Sequence, residues 1–395
     1  MKTLTLWATG LLILTSLQPL PVRAESSFSW HGFLSQGVSQ SVDGDFVSDN
    51  GDITFNLTEM GINMRYDINA SLAFVGQAVY LDGGNRYERG SRLDYLYLDW
   101  RLPELTNATV NVNLGRFKNP HWLYSATRDV PQTRATIILP QSLYFDNFRD
   151  VALGSDGVLL RYYHATDEGS FRVNWSYGKS PMSDFQTKAL LGELAQGELE
   201  QKFAHQISTY WQSPSLSWQL GASYLDSDFS YNPAPVDAYV DAGREVQLYT
   251  ISLAYFAEDW EFATELQRNK RIDWGGYGPD YRVNQQGEGG YAQLRYRLTP
   301  EFTLTTSYDM YISDRDDRDG KILEALTGGM IPAYYGFEKT IAAGLQWDPK
   351  PQWRVQAEHH WVHGAGRLTS LPSSQNTPET REYWRMWAVQ VMYWF

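Results

Sequence analysis

A two-residue rhythm limits this chain more than any other feature, and it runs almost to the last residue. In FRVNWSYG, Phe171, Val173, Trp175 and Tyr177 share one face, while Arg172, Asn174 and Ser176 take the other. WEFATELQ opposes Trp260, Phe262 and Leu266 to Glu261, Glu265 and Gln267. YAQLRYRL sets Leu294, Tyr296 and Leu298 against Gln293, Arg295 and Arg297. WRVQAEHHW sets Trp353, Val355, Ala357 and Trp361 against Arg354, Gln356, Glu358 and His360. Each reads as a strand with one apolar and one polar face.

The connections alternate too. Short ones at 67–71, 213–215, 257–259, 298–301 and 348–352 carry Asn, Asp, Ser or Pro turn chemistry. Long polar ones lie between them, at 42–52, 82–92, 181–202, 229–244, 272–287, 314–336 and 363–382. A soluble sandwich has no reason to gather its long loops at one end, whereas transmembrane barrels pair short periplasmic turns with long external loops. The count comes to about sixteen strands, an even number as such barrels require. The expected fold is therefore all-β, a transmembrane antiparallel up-and-down β-barrel forming one domain over 25–395.

Composition agrees. There are 15 Trp and 26 Tyr, more than one core needs, and rings of this kind favour places with one apolar and one wet side. The formal net charge is -13 with no basic stripe, which argues against nucleic acid. With no cysteine, disulfides and thiolate chemistry are excluded.

The N-terminus combines Lys2, an apolar centre at 11–14 and Val22-Arg23-Ala24, the pattern of a signal peptide cleaved near Ala24. Beyond 1–24 no stretch approaches the ~20 apolar residues of a spanning helix. Export without a helical anchor points to the bacterial outer membrane. There only closed barrels and helices satisfy their backbone groups, so the last strand must pair with the first. In YWRMWAVQVMYWF, Tyr383, Trp387, Val389, Val391, Tyr393 and Phe395 share the lipid-facing parity. Arg268, Lys339 and Arg385 share that outward parity as well. A charge at mid-membrane costs about 2–4 kcal/mol, so all three are expected at the external rim, beside lipopolysaccharide phosphates.

The longest break in alternation follows the fifth strand and spans 117–150, FKNPHWLYSATRDVPQTRATIILPQSLYFDNFRD. A connection this long is functional or disordered, and Ile137, Ile138 and Leu139 argue against disorder. Pro120, Pro131 and Pro140 prevent it from extending its neighbouring strands. Its apolar residues sit poorly in external water. Folded inward, they would pack on the wall, leaving Arg128, Asp129 and Arg134 in the aqueous lumen. A narrow throat would focus the field of those charges.

Sixteen strands, a signal peptide, a terminal Phe395 and a long third loop resemble the general trimeric porins of Gram-negative bacteria. WHGFLSQG (30–37), GRFKNPHWLYSATRDVPQTR and LPQSLYFDNFRD resemble, more narrowly, a little-characterised porin-like group of proteobacteria. The resemblance implies a homotrimer in outer-membrane lipid and lipopolysaccharide, and a C-terminus read by the barrel assembly machinery. It also implies a third external loop that sets the constriction, with acids facing a basic wall. By that resemblance Asp129, Asp146 and Asp150 are loop acids, and Arg116, Lys118, Arg128, Arg134 and Arg149 the nearby cations. The arginines within the loop depart from the family, where acids dominate.

Parity adds wall residues independently. Arg65, Arg101, Arg161, Arg172, Arg295, Arg297 and Arg354 fall on the inward face with Glu59, Asp99, Glu261, Glu265, Asp309, Glu338 and Glu358. Rings of charge set pore selectivity, and these balanced sets predict a transverse field.

Other motifs carry little. SDRDDRDG (313–320) lacks the spacing of a calcium loop. His359 and His360 fall on opposite faces, so they share no metal. GELAQGELEQK (192–202) is expected to form a short helix. No hydrolase, zinc or nucleotide motif occurs, and no cofactor is expected.

Three functions remain. The first is passive diffusion of small hydrophilic solutes or ions. The second is a substrate-specific channel for sugars or organic acids, with Trp122, Tyr124, Tyr144, Phe145 and Phe148 as a sliding surface. The third is a barrel enzyme or adhesin, although no activated nucleophile is evident.

Overall fold

A computed structural model describes residues 27–103, 107–146, 149, 154–192, 195–368 and 380–395. The signal segment 1–24, Phe148 and Asp150 lie outside the described residues. Strands dominate. The chain begins with β1 (Phe28–Val42), β2 (Ile53–Asn69), β3 (Leu72–Asp82) and β4 (Gly90–Arg101). β5 (Ala108–Lys118), β6 (Gly154–Thr166), β7 (Gly169–Lys179) and β8 (Glu198–Gln212) follow. Next come β9 (Trp218–Asn232), β10 (Ala242–Phe256), β11 (Trp260–Gly275) and β12 (Arg282–Arg297). β13 (Phe302–Ile312), β14 (Phe337–Lys350), β15 (Trp353–Gly364) and β16 (Tyr383–Trp394) complete the order.

Each strand pairs antiparallel with its chain neighbours, and β1 pairs with β16, from Phe33 opposite Trp394 to Val42 opposite Arg385. The result is the closed up-and-down barrel that the alternation predicts. Closure reaches the last residue. Phe395 and Gly32 exchange two backbone hydrogen bonds of 3.0 Å each. The Phe395 ring lies over Gly32, where a Cβ would come within 2.5 Å of it, and Trp30 meets the ring edge-on at 5.6 Å.

The outer face is apolar and exposed, as at Ile62, Ile251, Leu266 and Ile341, while Glu265, Gln293 and Gln390 on the opposite parity are buried. Aromatic pairs ring the short-turn end on the outside. Trp218 and Tyr255 lie 4.5 Å apart, Tyr255 and Trp260 4.9 Å, and Trp353 and Tyr393 4.9 Å. Rings with one polar end suit the membrane–water boundary. No described helix is long and apolar enough to cross a membrane.

Several long connections prove shorter than expected. The loops at 229–244 and 272–287 shrink to 233–241 and 276–281, because β9 to β12 continue their ladders further. There the outward-parity residues, such as Lys270 and Gln286, are polar. Alternation therefore fades while backbone pairing persists.

The helix expected at 192–202 is displaced: α1 (Asp184–Leu191) precedes it, and 198–202 belongs to β8. Ser183 and Gln186 form a reciprocal capping box, and Gly192, at φ 96, ends the helix. A second short helix, α2 (Lys321–Leu326), lies in the loop after β13, where Asp317 accepts from the Ile322 and Leu323 N–H groups. No group of metal-ligating side chains occurs among the described residues.

Lys339 and Arg385 lie at the long-loop ends of their strands. Arg268 does not. It sits well inside β11, opposite Glu288, whose carboxylate pairs with Arg318 at 2.5 Å. That charge cluster keeps Arg268 in a polar setting on the outer face.

Candidate pore constriction

The segment after β5 is anchored by charge. At its root, Lys118 pairs with Asp94 of β4 and with Asp129, and Arg149 pairs with Asp129 as well. Further on, Asp146 lies between Arg128 and Arg86, with Arg86 Nη1 at 3.3 Å. Arg128 also donates to the Tyr144 carbonyl at 2.7 Å. Arg149 and Arg86 stack on the Tyr87 ring at 4.5 and 5.1 Å. Arg134 donates both Nη groups to Glu59 of β2, at 3.0 and 2.5 Å, and Gln390 of β16 adds a bond to Glu59 at 3.0 Å.

Elsewhere backbone N–H groups of the segment are caught by acids of the polar parity. Leu123 donates to Glu265 of β11 at 3.0 Å. Ile137 and Ile138 donate to the two oxygens of Glu358 on β15, at 2.8 and 2.9 Å. Ser142 donates to Asp309 of β13 at 3.2 Å. Glu265 additionally accepts from Ser252, Tyr144 and Tyr291 at 2.7, 2.5 and 3.0 Å. The prolines leave this irregular backbone without a ladder of its own, so wall side chains satisfy it. Packing follows the same pattern. Trp122, Leu139, Leu143 and Tyr144 bury with Tyr291, while Ile137 and Ile138 bury with Leu57, Val362 and Met386.

This corrects two expectations. Arg128, Asp129, Arg134, Asp146 and Arg149 are no more than 6% exposed and do not stand in water: Arg128–Asp146 and Arg149–Asp129 tie the segment to itself, while Arg134 and Asp146 tie it to Glu59 and Arg86. Trp122 and Tyr144 are buried likewise, packed against strands rather than offered as a sliding surface. Arg116 stands apart from the cluster. It lies on the outward parity opposite Leu96, and clasps Asp156 at 2.7 and 2.8 Å. Gly115, at φ 126, lies just before it.

Most of the charges expected on the wall lie near the short-turn ends of their strands. Arg65 bonds Asp67 at 2.8 Å and Asp99 at 3.1 Å, and Arg161 reaches Asp99 at 3.9 Å. Arg172 lies over the Tyr210 ring at 5.8 Å. Arg295 pairs with Glu261 at 2.6 Å, and Arg297 donates to the Glu258 carbonyl at 3.2 Å. Glu265 is different, being wholly buried under the segment. Arg86, Tyr87 and Asp94, which complete the charged cluster, come from a stretch that reads as an ordinary polar loop. The one available signal was the acid–arginine density around 82–94.

Comparison with solved structures places this geometry. An anion-selective porin from Comamonas acidovorans superposes with a TM-score of 0.58 at 12% identity, covering 94% of this chain and 100% of the other. The outer membrane channel DcaP of Acinetobacter baumannii gives 0.56 at 12%, covering 96% and 100%. OmpT, an outer membrane protein of Vibrio cholerae, in a trimer form, gives 0.56 at 10%, covering 93% and 99%. The chain has the porin fold. No protein-family model matches the sequence, and no curated protein does. With a porin fold and an apolar, exposed outer face, the chain is a closed β-barrel of the outer-membrane kind.

Proposed function

We propose that this protein is an outer-membrane channel for passive diffusion of small hydrophilic solutes and ions, with 117–150 lying across the lumen as its constriction. One observation carries the reading: the segment bonds polar-parity residues on opposite sides of the ring, Glu59 on β2 and Thr250 and Glu265 on β10 and β11. A loop lying outside the mouth could not reach both. The 1–24 segment would direct export, and the OmpT trimer form supports a homotrimer here. Lipopolysaccharide would meet Lys339 and Arg385 at the rim, and the assembly machinery would read Phe395. No catalytic step and no cofactor enter this reading.

Filtering would fall to the accessible charges at the short-turn mouth rather than to the buried cluster. Arg65 and Arg161 keep over two-fifths of their side chains exposed there, at 42% and 43%, while Asp99, between them, keeps 8%. Asp67, 48% exposed, offsets Arg65, so Arg161 is left as the less compensated cation of this group, which favours anions. Liposome swelling tests the channel: flux of small sugars should rise linearly with concentration, and impermeant liposomes would refute it. In a salt gradient, Arg65→Gln with Arg161→Gln should move the reversal potential toward cations. Arg128→Ala with Arg134→Ala should move it less, and the opposite ranking would put the filter back in the segment.

A further inference from the structure

A recess on the long-loop side of the segment is built unlike the rest of a polar lumen. Its volume is about 110 Å³, and Trp122, Leu143 and Phe145 of the segment face Leu225 and Leu248 of β9 and β10 across it. A cavity of ~150 Å³ takes up benzene, so this smaller recess is matched to no more than one ring, seated with its polar end left outside. Arg244, Arg271 and Arg367 stand on its polar edge with Lys270, Gln201, Gln267 and Asn269, and no carboxylate lines it among the described residues. Arg244 and Arg271 share one acid, Asp273, at 2.5 and 2.9 Å. Arg367 lies between the rings of Tyr311 and Phe145, its guanidinium carbon 3.5 and 4.4 Å from their centroids. Its Nη2 donates to the Ser142 carbonyl at 2.8 Å, and its buried Nε has no hydrogen-bond partner. Glu338 accepts from the Arg367 backbone N–H, not from the guanidinium.

We propose that this recess is a binding site for a single-ring carboxylate, with the ring on Leu225, Leu248 and Phe145 and the carboxylate on Arg367 and its two neighbouring arginines. The inference rests on the channel reading, to which it adds a substrate class. A guanidinium fixed in plane by two rings presents its edge donors in the geometry a carboxylate accepts. The apolar wall would be wasted on an inorganic anion. Gln201, Ser227, Gln267 and Asn269 also line the recess and could meet a hydroxyl group, but the guanidinium groups are the charged partners, and they call for an anion.

Calorimetric titration of the folded full-length protein in detergent tests this, with benzoate, acetate and benzyl alcohol as probes. Benzoate should saturate one site per chain and bind about tenfold or more tightly than either acetate or benzyl alcohol. Arg367→Gln should weaken benzoate about tenfold, whereas Arg318→Gln in the external loop should leave it unchanged. Leu225→Trp, which fills the recess without touching a charge, should abolish binding while leaving the barrel folded. Acetate or benzyl alcohol binding as well as benzoate, or benzoate binding unaltered in Leu225→Trp, would overturn the proposal. Single-channel recordings on the same preparations separate the two readings. Conductance without benzoate binding removes the recess alone, and benzoate binding without conductance removes the channel and leaves the recess.

Discussion

Arg134 and Glu59 show how single residues hold this molecule. Both are buried, they share two hydrogen bonds, and they lie far apart in the chain. Removing one partner of a buried pair leaves an uncompensated charge and costs about 3–5 kcal/mol. Arg134→Met should therefore lower the thermal unfolding midpoint in detergent clearly, and Glu59→Gln added to it should restore most of the loss. A single variant as stable as the parent would mean that the pair does not bear on stability. The residue types at this site were legible in the sequence, but their use was not. Alternation placed Glu59, Glu265, Asp309 and Glu358 on the inward face correctly. It could not tell that each would meet a backbone or arginine donor of the segment, because those partners are set by how 117–150 folds. Arg116 was misplaced for a local reason, since its facing partners, Leu96 and Asp156, put it on the outer side.

Among elements, β16 and the segment after β5 carry opposite demands. β16 must leave no edge, and its last residue gives and accepts a backbone bond with Gly32 while covering that glycine with its ring. An unsatisfied group in lipid costs several kcal/mol. Deleting Phe395 should reduce heat-resistant barrel at the cell surface strongly, whereas trimming 278–280 from the loop after β11 should change it little. Equal levels in both would remove the closing role of Phe395. Strand existence and order were readable from period two, because each strand has lipid on one side. Strand ends were not readable in β9 and β10, where the apolar side turns inward at Phe229, Tyr231 and Val246 and the outward side becomes polar. The α1 position also escaped, since its boundary depends on the Ser183–Gln186 cap rather than on composition.

For the whole molecule, sixteen strands close a ring, and the segment after β5 bonds polar-parity acids on β11, β13 and β15. A closed barrel of this kind should stay compact in unheated detergent and migrate differently after boiling, with β-dominated circular dichroism. The central claim is that 117–150 narrows an open channel, and single-channel conductance in planar bilayers tests it directly. The parent protein should give steady ohmic steps, and deletion of 122–138 should raise their size. No ion flux from the folded parent, or steps of the same size after the deletion, would contradict the account.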